Sequence, residues 1–195
     1  PMNRLVQGDV GSGKTMVAAA AAYCAARNSA QTALMAPTEI LAEQHFASLS
    51  ALFVPLGVSV ALLTGSMTGK QKKDVRERIA AGEVQVVIGT HTLLSESTRF
   101  DNLGLVITDE QHRFGVGQRS RLSAKGEDPH LLVMSATPIP RTLALILYGD
   151  LDVSILDELP PGREPVDTFL VGESYRPRIN AFIRKQVAEG HQCLS

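Results

Sequence analysis

The stretch Gly8-Asp9-Val10-Gly11-Ser12-Gly13-Lys14-Thr15 constrains this chain more than any other. It follows the short apolar run 4–7 and opens onto the Ala-rich run "MVAAAAAYCAA" that begins at Met16. The spacing G-x-x-x-x-G-K-[ST] between a strand and a helix lets the backbone turn tightly, so that successive N–H groups face one bound phosphate chain. The helix that follows adds its positive end. Gly8, Asp9, Gly11, Ser12, Gly13, Lys14 and Thr15 are therefore the expected nucleotide-binding set. Lys14 reaches the β and γ phosphates and Thr15 ligates Mg²⁺, which makes ATP and Mg²⁺ the expected cofactors. A flexible glycine turn in front of an Ala-rich helix is the weaker alternative.

Short apolar runs at 4–7, 32–36, 58–63, 84–89, 103–108 and 131–135 alternate with helical stretches near 14–27, 39–53, 68–81, 117–125 and 139–148. Repeated βαβ units of this kind imply an α/β fold, a doubly wound and mostly parallel sheet with its functional loops at the carboxyl ends of the strands. Residues 1–150 form the expected first domain. After Tyr148, "GDLDVSILDELPPGREP" has three prolines, two glycines and no helical period, so residues 151–165 read as an extended linker. "VDTFLV", "SYRPRINAFIRKQVAEG" and "HQCLS", over 166–195, read as the opening β-α-β of a second domain. Both ends of the chain read as interrupted elements, so it is expected to be a segment of a longer protein.

At the end of the 103–108 run stand two adjacent acids, Asp109 and Glu110. Two like charges at a strand end call for a cation. If this strand emerges beside the glycine loop, Asp109 holds the metal and Glu110 orients and deprotonates an attacking water. Ser135-Ala136-Thr137, before Pro138-Ile139-Pro140-Arg141, offers two hydroxyls at another strand end, where a helix cap is an equal alternative. "APTEILAEQ" (36–44) and "GTHTLL" (89–94) also end strands on polar residues. The helix "TGKQKKDVRERIAAG" interrupts its lysines and arginines with Asp74 and Glu77 and reads as a solvated amphipathic face. His45, His130 and His191 have no partner pattern, whereas His112 belongs to the acid cluster.

Lys plus Arg number 19 against 20 acids, so nucleic-acid contacts, if any, are local rather than spread over a basic surface. The two cysteines, Cys24 and Cys193, form no metal-binding pattern and read as reduced thiols. The longest apolar stretch is too short to span a membrane, and no signal-peptide pattern is present, so a cytoplasmic location is expected.

The glycine loop, "PTEILAEQ", "LTGS", "GTHTLL", "DEQH" and "SATPIPRT" occur in the order of the superfamily-two helicase motifs, over residues 4–163. "LVQGDVGSGKT", "LMAPTEILAEQH", "DEQHRFGVGQR", "SATPIPRTLA" and "LDELPPGR" resemble the first motor domain of the RecG family of bacterial ATP-dependent DNA helicases. The transcription-repair coupling translocases are near relatives, but typically carry DEEH at the acid motif and lack the "DELPPGR" connector. The resemblance implies a P-loop NTPase, RecA-like helicase domain followed by the start of a second. Lys14, Asp109 and Glu110 would be catalytic, with Thr15 and Asp109 on the metal. Gln111, His112, Ser135 and Thr137 would relay nucleotide state. Pro37, Thr38, Glu39, Gly65, Ser66, Thr90, His91, Arg113 and Arg119 would lie along the DNA. It further implies action on branched or double-stranded DNA such as stalled forks and Holliday junctions, in recombination and repair. The partners would be a wedge domain and a second motor domain outside these residues. The arginine finger belongs to that second domain and contributes about 10³–10⁵ in rate, so the 195 residues alone are expected to turn over very weakly.

Four rivals remain at this point, the nearest an RNA helicase, although those usually read DEAD at the acid motif. A transcription-repair coupling type DNA translocase shares most motifs. A small-molecule phosphotransferase shares the glycine loop and an acidic strand end but has no use for "SATPIPR". A non-catalytic nucleotide-binding scaffold needs no Glu110.

Overall fold

A computed structural model of the chain describes residues 1–109, 122–136, 151–158 and 168–193. It divides into two units, Pro1–Pro161 and Gly162–Ser195.

The first unit is built on seven parallel strands: β1 (Asn3–Gly8), β2 (Gln31–Met35), β3 (Val60–Leu63), β4 (Val86–Gly89), β5 (Leu103–Thr108), β6 (His130–Ser135) and β7 (Asp152–Leu156). Their order is β3-β4-β2-β5-β6-β1-β7. Every residue of the inner strand β2 is buried, as expected of a parallel strand covered on both faces. Alternating side chains feed two cores. On one face Leu34, Ala36, Ile88, Ile107 and Met134 pack under Phe53, Leu49 and the alanines Ala18, Ala19, Ala22 and Ala26. On the other, Ala33, Met35, Val87 and Val106 meet Val75, Ile79 and Leu93.

Among the described residues, α1 (Lys14–Arg27), α2 (Glu39–Phe53) and α3 (Gly69–Ala80) cover these faces. Their limits follow local chemistry. Thr68 and Gln71 close a capping box in front of α3, and the Thr38 hydroxyl accepts from Leu41 N–H at the start of α2. The buried methyl groups of α1 allow it to lie close over the sheet.

Residues 152–156, expected in an extended linker, instead form β7 as the edge strand against β1, with Gly8 opposite Leu156. Arg4 reaches across to the Ser154 hydroxyl at 2.7 Å and the Asp152 carboxylate at 3.1 Å. An edge of β1 left unpaired would expose its backbone groups, and pairing satisfies them. The helix expected at 139–148 and most of that at 117–125 lie outside the described residues.

In the second unit, one 3₁₀ turn (Glu173–Tyr175) leads into α4 (Arg176–Ala188), started by a proline in its first turn. The strand expected from 166 is not formed over its described part, 168–171, nor is one begun at 191–193. None of the residues of α4 is buried. Among the described residues no helix is long and apolar enough to cross a membrane.

Candidate active site

The loop after β1 turns through Gly11 and Gly13, both at positive φ (83° and 94°), where a side chain would be strained. Ser12 N–H closes the turn onto the Asp9 carbonyl at 3.1 Å. Gly8 is required for a different reason: a Cβ there would lie 2.5 Å from Ser12 Oγ and 2.9 Å from Leu156 Cβ. The Lys14 ammonium folds back to donate to the Gly8 and Asp9 carbonyls, each at 2.7 Å. Helix α1 starts at Gly13 with no side-chain cap and no acid in its first turn, which leaves the positive end of its dipole uncompensated by side chains. Ser12 Oγ is buried without a hydrogen-bond partner.

Asp109 follows β5 at the same edge of the sheet. Its N–H donates to the Met35 carbonyl at 3.0 Å, which extends the β2–β5 pairing by one residue. The strand does not emerge directly beside the glycine loop as expected. β6 lies between β5 and β1. The register sets Asp109 level with Met134 and Val6, two residues short of Gly8, so two strand spacings and two residue rises put the Asp109 and Gly8 backbones roughly 12 Å apart. A lysine side chain, a phosphate pair and a cation would together be long enough to bridge such a gap. Oxygen donors from one carboxylate and the Thr15 hydroxyl suit Mg²⁺, which is ordinarily held by one or two carboxylates together with substrate phosphates. The interposed β6 ends at Ser135, fully buried at the level of Gln7.

Asp109 is also bound from the side. His45 Nε2 lies 2.7 Å from Asp109 Oδ2, and the two side chains are only 11% and 13% exposed.

The loops expected along DNA share this edge but differ in what they present. Pro37 and Thr38 are half-buried at the start of α2, and Gly65, Ser66 and His91 are exposed. Glu39 is engaged with protein: its Oε1 accepts from Ser66 N–H at 3.0 Å. The Ser66 hydroxyl is the main cause that holds the Glu39 carboxyl below its ordinary value. Burial works the other way, and the Ser66 and Gly65 N–H groups and the Lys72 charge lower it further. Lys72 donates to the Gly65 carbonyl at 2.6 Å. Thr90 is 2% exposed, with its hydroxyl buried and unpartnered. A carboxylate already committed to N–H donors, and a side chain sealed in the core, are poor phosphate contacts. Glu39 is a clamp on the Gly65-Ser66 loop, and Thr90 is a core residue. Glu110, Gln111, His112, Arg113, Arg119 and Thr137 lie outside the described residues.

The family model "DEAD/DEAH box helicase" matches residues 2–146. The chain belongs to this helicase family. Among curated relatives it is similar to the ATP-dependent DNA helicase RecG of Bacillus subtilis, at 56% identity over 98% of this chain and 28% of the relative. It is also similar to that of Synechocystis, at 53% identity over 98% of this chain and 23% of the relative. Among solved structures, RecG bound to a three-way DNA junction is 48% identical, with a TM-score of 0.79 over 98% of this chain and 26% of that one. The chain thus spans about a quarter of the length of the helicases it matches.

One contact of this helicase site escaped sequence reasoning, that of His45. The signal was faint: His45 stands seven residues after the cap Thr38, two helical turns along the same face. Nothing local says which strand end that face meets.

Proposed function

We propose that the chain is the nucleotide-binding motor unit of an ATP-dependent DNA helicase that acts on branched DNA, in recombination and repair. One observation carries this reading. The phosphate-type loop, Asp109 and the exposed polar loops at Gly65-Ser66 and His91 occupy one edge of one sheet, so a hydrolysis site and a nucleic-acid track share neighbouring strand ends. The similarity to a helicase solved on a three-way DNA junction supports branched DNA over other substrates.

In this reading the N–H groups of Gly11, Gly13 and Lys14 and the unpartnered Ser12 hydroxyl bind the phosphates, with Gly8 and Asp9 shaping the turn. Lys14 leaves its two backbone carbonyls for the β and γ oxygens. Thr15 and Asp109 hold Mg²⁺, which when bound offsets phosphate charge. Glu110 takes the proton of the attacking water, and Gln111, His112, Ser135 and Thr137 connect the nucleotide to the neighbouring motifs. Pro37, Thr38, Gly65, Ser66, His91, Arg113 and Arg119 face the DNA backbone. Residues 166–195 open the second motor domain.

The test is phosphate release by a full-length helicase of this family that carries the chain, with fork, duplex, single-stranded DNA and RNA in turn. Branched DNA is expected to stimulate most. Lys14→Ala is expected to abolish stimulated turnover, and Glu110→Gln to block it while nucleotide binding persists. Undiminished turnover in either variant overturns the assignment. Stimulation by RNA alone would make the protein an RNA helicase, and a phosphorylated small-molecule product would make it a phosphotransferase.

A further inference from the structure

We propose that His45 is a positioning residue for the metal: through its hydrogen bond to Asp109 it fixes the carboxylate in the orientation that receives Mg²⁺. The inference rests on the metal reading given above and adds to it a residue from a different element.

Two of the contacts that hold Asp109 differ in kind. Its backbone is fixed by the Met35 carbonyl, through the ordinary pairing of β2 and β5. That contact sets where Cα lies and does not by itself orient the carboxylate. The second contact, at 2.7 Å from His45 Nε2, bears on the carboxylate itself and restrains its rotation. An ionised carboxylate only accepts, so Nε2 is the donor in this contact. With both side chains nearly nine-tenths buried, water competes poorly for the bond, and a charge-assisted hydrogen bond in such a setting is stronger than one at the surface.

The carrier of His45 is itself well anchored. α2 is capped by Thr38 and packed on the sheet through Ala42, Leu49 and Phe53. One turn and a half before His45, Glu39 on the same helix clamps the Gly65-Ser66 loop. The imidazole is therefore presented by a rigid element rather than by a loop. Partners that hydrogen-bond a metal's ligands typically account for about 10–100-fold in metal affinity, and that is the effect to expect here.

The test uses this 195-residue chain, a fluorescent ADP analogue and Mg²⁺ or Mn²⁺. His45→Leu keeps most of the side-chain volume without a donor, and His45→Gln keeps an N–H at the end of the side chain. Affinity for the nucleotide in chelator reports the phosphate loop, and the metal concentration giving half of the metal-dependent gain reports Asp109. Mn²⁺ binding followed by electron paramagnetic resonance reads the metal directly.

For His45→Leu the half-effect metal concentration is expected to rise about 10–100-fold, with nucleotide affinity in chelator within about twofold of the parent. His45→Gln is expected to recover most of the loss. An unchanged metal dependence in His45→Leu overturns the inference. So does a His45→Gln chain that melts like the parent yet binds metal as poorly as His45→Leu. If His45→Leu does not fold, His45→Gln decides alone: parental metal dependence supports the role and a tenfold loss refutes it. A parent chain that binds nucleotide with no metal-dependent gain would instead sink the metal reading itself.

Discussion

Replacing Gly8 by Ala tests the joint between the phosphate loop and β7. Gly8 closes β1 and pairs with Leu156. A methyl group added there would lie 2.5 Å from Ser12 Oγ, 2.9 Å from Leu156 Cβ and 3.1 Å from the Leu156 carbonyl oxygen. The Ser12 hydroxyl can rotate away. Leu156 Cβ is fixed to the backbone of β7, so relief requires β7 to retreat or the loop to lift. Overpacking of this kind costs about 1–3 kcal/mol. At about 2–4 °C per kcal/mol for a unit of this size, the melting temperature should fall by roughly 2–12 °C. The Gly8 carbonyl is one of the two acceptors that hold Lys14, so nucleotide affinity should drop about tenfold, equivalent to 1.4 kcal/mol. Differential scanning fluorimetry and titration with a fluorescent ADP analogue read the two effects. Gly69→Ala is the control, since a Cβ there meets nothing within 4 Å; at a helical position without positive φ it should be neutral or slightly stabilising. A Gly8→Ala chain that melts and binds like the parent would show that β7 does not lie against the loop.

Other consequences concern stability. Gln31 is 3% exposed and joins two segments: its Nε2 donates to the Ile79 and Val84 carbonyls, while its Oε1 accepts from the Asp101 and Asn102 N–H groups. Gln31→Leu should cost about 3–5 kcal/mol in urea unfolding, because buried groups stripped of a partner cost about 1–3 kcal/mol each and do not add fully; a loss under about 1 kcal/mol would contradict the network. Phe53→Ala, at a side chain 1% exposed, should cost about 3–5 kcal/mol by the same measurement, and a surface-like loss below about 1 kcal/mol would be inconsistent with its burial. Glu39 has its carboxyl held below the ordinary 4.5, so its contribution is complete above that pH and is lost as pH falls through the lowered value. Glu39→Gln should therefore be less stable than the parent at neutral pH, and the two melting curves should converge in acid; a gap that widens in acid would reverse the sign of the argument.

Local chemistry made much of this protein legible from its sequence. The limits of α1 and α2 agree with the helical stretches expected at 14–27 and 39–53, because caps and burial periodicity act over a turn or two. The glycine loop was legible for the same reason: the need for positive φ at Gly11 and Gly13 and the position of Lys14 are properties of eight consecutive residues. The other six strands, five inside the sheet and β3 at its far edge, were legible as short apolar runs between helical stretches. β7 was not. "DVSIL" sits between glycine- and proline-containing stretches, and its strand character comes from the free edge of β1 more than from its own residues.

Tertiary structure alone decided what each motif touches. Strand order interposes β6 between the phosphate loop and Asp109, a choice settled by packing the whole sheet and invisible in any one strand. The same folding seals Thr90 in the core, turns Glu39 toward Ser66, and brings His45 to Asp109 across 64 residues. Backbone propensity and side-chain period act on near neighbours, and so they fix which element a residue joins. Contacts between distant residues depend on how complete elements stack, and that is settled only when both apolar faces of the sheet are buried at once.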